Sequence, residues 1–119
     1  MNITKRKPFT PGEILLEEFM EPYNLTQTKL AELTGITRRR INEIIKGKRA
    51  ITPDTALRFA KLFNISPDYW LNLQTKINLW IALQKKGEQE AIRRIKTLKS
   101  FHAYGQYSIA ESNDRSDWI

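Results

Sequence analysis

At 119 residues the chain is sized for one domain, with a core small enough to need tight packing or a partner subunit. Its net charge of +7, from 20 Lys/Arg against 13 Asp/Glu, favours an anionic partner such as nucleic acid. The absence of cysteine excludes disulfide frameworks and thiolate metal sites, and no run approaches the roughly 18 apolar residues of a membrane span. The opening "MNITKRKPF" lacks the apolar core of a signal peptide, so the expected compartment is the cytoplasm.

The first element is expected at Thr10-Pro11-Gly12-Glu13, which fits a capping box with proline in the first turn. Ile14, Leu15 and Phe19 then follow at helical spacing. Two shorter helices are expected between Pro22 and Lys48. Thr26 can cap the first, which carries Leu30, Ala31 and Leu33, and Gly35 suits a left-handed position past its end. Thr37 can cap the second, which carries Ile41, Ile44 and Ile45 and ends at Gly47. Thr52-Pro53 and Ser66-Pro67 open two more helices. The first holds Ala56, Phe59, Ala60 and Phe63, and the second Trp70, Leu73, Ile77, Trp80 and Ile81. A weaker helical segment, "EQEAIRRIKTLKSF", follows Gly87, and no alternating strand pattern of useful length occurs. The organisation expected is residues 1–85 as one domain and 86–119 as a helical extension with an acidic tail.

Two short helices joined by a tight, glycine-containing turn form a helix-turn-helix. The segment "GITRRRINEIIKGKR" packs six basic residues around one acid. On a helix starting near Thr37, its isoleucines share one arc, while Arg39, Asn42, Glu43 and Lys46 lie opposite with Arg38 and Arg40 on the flanks. Arginine can pair bidentately with guanine and Asn with adenine, and Glu can accept from cytosine. Arg38, Arg39, Asn42 and Glu43 are therefore the candidate base readers of a major groove. Lys46, Lys48 and Arg49 are expected beside phosphates, as are Thr26, Gln27, Thr37 and Arg40 near the two helix starts. A charge run is more often a plain solvated face, but the turn glycine and the order of capped helices favour the groove-reading arrangement here.

The span "LTQTKLAELTGITRRRINEIIKGKRAITPDTALRFAKLFNISPDYWLNLQ" resembles the Xre/Cro-type (lambda-repressor-like) helix-turn-helix domain. "PGEILLEEFMEPYNLTQ", "GKRAITPDTALRFAKLF" and "SPDYWLNLQ" resemble its HigA/VapI antitoxin branch. The resemblance covers roughly residues 8 to 83 and weakens beyond Lys85. It implies an all-α, five-helix DNA-binding domain, usually dimeric, that binds a palindromic operator, represses its own operon and silences a HigB-type ribosome-dependent mRNA endonuclease. By position it places Gln27 at a phosphate and Arg38, Arg39 and Asn42 at bases. A stand-alone Xre-type regulator without a toxin is the first alternative, and a protein-interaction module with a degenerate helix-turn-helix the second.

The remaining residues point to no further chemistry. Trp70 and Trp80 lie in the apolar stripe of their helix, which favours core or dimer packing. Asp54 and Asp68 sit at second helical positions, where a carboxylate suits the helix dipole. His102 has no metal-ligand neighbours in sequence, no nucleotide or hydrolase fingerprint occurs, and neither cofactor nor enzymatic activity is expected. Residues 101–119, ending in Trp118-Ile119, invert the charge of the body. Plain disorder, folding back onto the domain and ordering on a basic partner compete there, in that order of preference.

Overall fold

Every helix that opens after a threonine or serine is capped by that side chain. The computed structural model describes residues 6–98. Helix α1 (Pro11–Ile14) opens with the full capping box: Glu13 N–H donates to Thr10 Oγ1 at 3.1 Å, and Thr10 N–H to Glu13 Oε1 at 2.8 Å. Thr26, Thr37, Thr52 and Ser66 cap α2 (Gln27–Thr34), α3 (Arg38–Ile45), α4 (Pro53–Phe63) and α5 (Pro67–Gln84) with a side-chain oxygen that accepts one N–H of the first turn. Among the described residues there are helices and no strand, so the fold is the expected all-α, five-helix helix-turn-helix arrangement followed by a further short helix.

The ends of these helices use left-handed residues. Gly35 closes α2 at φ 76°, and Asn64 closes α4 at φ 56°. After α3, Gly47 N–H donates to Ile44 O and Lys48 N–H to Glu43 O, with Gly47 at φ 75°. This paired pattern is a Schellman stop, which satisfies two carbonyls and turns the chain sharply away.

The first helix departs from the expected regular α-helix. After one α turn it becomes a π-helix (Leu15–Met20) and then a 3-10 turn (Glu21–Tyr23) that contains Pro22. Leu15 and Met20 are both buried. In an α-helix, residues five apart lie about 140° from one another, so both cannot face one core; the wider i→i−5 winding brings them into line. Proline then removes the donor needed to go on.

The core gathers Leu15, Leu30, Ile36, Ile41, Ile44, Phe59 and Trp70. Trp70 is fully buried among aromatic rings, with centroids 5.0 Å from Phe59 and 5.1 Å from Phe19. Helix α2 packs on α3 and α4, α1 on α3 and α5, and α4 on α5. Along α2, α4 and the first-helix segment runs an apolar groove of about 330 Å³ lined by Phe19, Tyr23, Leu25, Leu33, Leu62 and Phe63.

The chain divides into two units, Met1–Lys85 and Lys86–Ile119. In the second, α6 (Glu88–Arg93) is shorter than expected. It has no side-chain cap and buries no residue, and a helix this short has little to stabilise it beyond the 3.1 Å Arg93–Glu90 pair. Residues 99–119, including His102 and the acidic tail, lie outside the described residues.

At Gly12 the backbone of α1 lies directly against the backbone of α3. A Cβ built there would stand 2.0 Å from the carbonyl oxygen of Ile44 and 2.8 Å from Ile45 Cα, both backbone atoms that cannot swing aside. Gly12→Ala is expected to cost at least the upper part of the roughly 1–3 kcal/mol range for overpacking. Chemical denaturation checks this, and an unchanged midpoint would mean that α1 does not seat on α3 this closely.

Candidate nucleic-acid interface

Helix α3 is held by its apolar arc. Ile41 and Ile44 are fully buried and Ile45 is packed against the same core. The turn before it is equally anchored, because Ile36 is buried and its N–H donates to Thr34 Oγ1. Thr34 Oγ1 in turn donates to Leu30 O at 2.7 Å. With that arc inward, Arg38 and Arg39 are exposed, and Asn42 and Glu43 are half-buried at the edge of the outward face.

The expected site residues fall into linked groups. Asn42 Nδ2 donates to Gln27 Oε1 at 3.2 Å, joining the start of α2 to the middle of α3. Beside Gln27, the first N–H groups of α2 have no intrahelical acceptor, which is the arrangement that seats a phosphate. Glu43 receives Arg49 Nε–H at 2.8 Å and lies 3.5 Å from Arg39 Nε. The Arg49 hydrogen bond, with the charges of Arg49 and Arg39, holds the Glu43 carboxyl below its ordinary value against an opposing effect of desolvation. The carboxylate is thus ionised at neutral pH, and its pairing is lost only as pH falls through that lowered value. Lys46, Lys48 and Arg49 are exposed around the Schellman turn. Thr26 and Thr37 spend their hydroxyls on capping.

Arg40 takes a different place from the rest. Also expected near a phosphate, it turns Nη2 towards helix α4, 3.3 Å from Thr55 Oγ1 and 3.7 Å from Asp54 Oδ2. Asp54 does more than favour the helix dipole, since both its oxygens receive Arg58 Nε–H at 3.2 Å. Arg58 Nη1 then donates to Thr34 O at 2.8 Å, at the last turn of α2. Arg40, Thr55, Asp54 and Arg58 therefore form a polar tie from α3 across α4 to the turn. Sequence reading missed Arg58 and Thr55. The i,i+4 spacing of Asp54 and Arg58 was the available signal, but nothing in the sequence says that the arginine continues to a carbonyl 24 positions away.

The Helix-turn-helix family model matches residues 16–70, the stretch that contains α2, the turn and α3. The chain is 40% identical over 103 residues to the uncharacterised HTH-type transcriptional regulator YbaQ of Escherichia coli, covering 87% of this chain and 91% of that one. The chain belongs to the Xre-type helix-turn-helix family, in the branch that contains HigA and VapI. Antitoxin HigA-1 of Vibrio cholerae is 38% identical over 80 residues, 67% of this chain and 75% of that one. The solved antitoxin HigA of Pseudomonas aeruginosa with the higBA promoter superposes at a TM-score of 0.69 and 32% identity, covering 76% of this chain and 98% of that one. No helix among the described residues is long and apolar enough to cross a membrane.

Two substitutions separate the tie from the contact surface. Arg40→Ala is expected to lower stability by about 1–2 kcal/mol, because it removes a charge-assisted hydrogen bond from the buried Thr55 hydroxyl. Lys48→Ala is expected to leave thermal unfolding unchanged but to flatten the salt dependence of DNA binding by about one unit per monomer. A stability loss in the lysine variant, or none in the arginine variant, would reverse these assignments.

Proposed function

We propose that this chain is a cytoplasmic, dimeric repressor that reads a palindromic operator with α3 and also neutralises a HigB-type mRNA endonuclease. The observation that carries the DNA half is the α3 face itself: Arg38, Arg39 and Asn42 turned outward by buried Ile41 and Ile44, and flanked by Lys46, Lys48 and Arg49. In this reading Arg38, Arg39 and Asn42 meet base edges. Lys46, Lys48 and Arg49 meet phosphates beside Gln27 and the opening N–H groups of α2, with Thr26, Thr37 and the remaining donors of Arg40 at the margin. The Pseudomonas aeruginosa HigA solved with its promoter supports it. A dimer places the two reading helices in successive major grooves, about 34–36 Å apart.

Selection from a random duplex library tests this half. It is expected to return a two-fold symmetric sequence, and Arg39→Ala is expected to cost roughly 1–3 kcal/mol and relax one base position per half-site. Equal affinity of mutant and wild type for the selected duplex would remove Arg39 from the interface.

The toxin half rests on the HigA relatives and on the groove lined by Tyr23 and Leu33. Tyr23 is 73% exposed and Leu33 50%, which is a cost in water that a partner would recover. The adjoining Glu17, Glu18 and Glu21 are exposed, without an ion pair among the described residues, in a chain that is otherwise basic. That combination suits a basic partner with an apolar anchor. YbaQ, described as a transcriptional regulator, favours the second reading, a regulator without a toxin. Co-expression with the adjacent gene decides between them. On the lead reading, the wild-type chain rescues growth from that gene's product, and Leu33→Asp loses the rescue while keeping operator binding. Rescue by neither points to the stand-alone regulator, and rescue by both moves the toxin to another surface.

A further inference from the structure

Glu43 stands among the expected base readers, yet both oxygens of its carboxylate are already engaged. Arg49 donates Nε–H to Oε1 at 2.8 Å, and Arg39 Nε lies 3.5 Å from Oε2. Both arginines meet the carboxylate through Nε. The two terminal amino groups of each guanidinium, which form the fork that grips guanine or phosphate, have no partner other than Glu43 among the described residues. The arginine side chains are 87% and 48% exposed, on the outward side of α3 and on the loop behind it.

We infer that Glu43 is a positioning and specificity-determining residue, which holds Arg39 and Arg49 by their Nε atoms and presents their forks to the operator. The inference rests on α3 reading DNA, as proposed above. The exposed Arg39–Glu43 pair runs in the less favourable order along the helix and adds little to folding, so its consequence falls on binding. That consequence has opposite signs on two kinds of DNA. On the operator, base edges reward an arginine already ordered in the right place, because less side-chain freedom is lost on binding. On any other sequence only phosphate charge counts, and a carboxylate between two arginines removes one positive charge and repels the backbone. Glu43 therefore raises specific affinity and lowers non-specific affinity together.

The test compares two duplexes, one that the wild-type protein selects from a random library and a scrambled one of equal length. Glu43→Ala is expected to bind the scrambled duplex more tightly, with a steeper salt slope, and the selected duplex more weakly. The ratio of the two affinities should fall roughly tenfold, with thermal unfolding unchanged. Glu43→Gln keeps one oxygen for Arg49 and should give an intermediate ratio. In proton–nitrogen spectra, the Nε–H signals of Arg39 and Arg49 should stand apart from exposed arginines in wild type and merge with them in Glu43→Ala. An unchanged ratio overturns the inference. So does loss of preference at one base position with scrambled binding unaltered, which would make Glu43 a base reader. If the wild-type protein selects no sequence, the DNA reading fails and this role fails with it.

Discussion

Burial of Ile41 and Ile44 is the constraint on which the rest of the molecule turns. Each contributes about 1.5–3 kcal/mol when fully removed from water, so the pair together outweighs a single charge-assisted contact of α3 such as Arg40–Thr55, worth about 1–2 kcal/mol. The isoleucines therefore decide the rotation of α3, and the polar groups adjust to it. Once that rotation is set, Arg38 and Arg39 face solvent, and Asn42 lies at the edge of that face against Gln27. The basic segment needs its apolar stripe for this reason: without it, the charges would have a position but no orientation.

The other elements hold that helix at a fixed place. The backbone of α1 presses on the end of α3 at Gly12, where no side chain fits. The tie of Arg40, Thr55, Asp54 and Arg58 spans α3, α4 and the turn. The aromatic cluster around Trp70 braces α4 and α5 behind them. On the proposed function, an α3 braced in this way favours specific binding, since little order remains to be imposed when DNA arrives.

Much of this was legible in the chain because caps and glycines are local signals. Thr10, Thr26, Thr37, Thr52 and Ser66 each accept from a nearby N–H, Gly35 takes the left-handed conformation that its position called for, and Gly47 ends α3 as expected. The outward arc of α3 also follows from local spacing. What escaped reading depends on distance in sequence. The π winding comes from the need to bury both Leu15 and Met20, which is settled by the core and not by the segment. Arg40 lies at the flank of the helical wheel, and its long side chain reaches whichever neighbour exists; only the folded chain puts Thr55 there. Glu43 looked free on the wheel because Arg49 comes from a loop whose path is set by the Schellman turn.

The most direct test of the account is a nuclear magnetic resonance titration of the whole protein with its selected duplex, following backbone amides and isoleucine methyls together. Large shifts are expected at Arg38, Arg39, Asn42 and the opening turn of α2, while the methyls of Ile41 and Ile44 stay where they are. Shifts confined to α5 or α6, with the α3 signals unmoved, would contradict it.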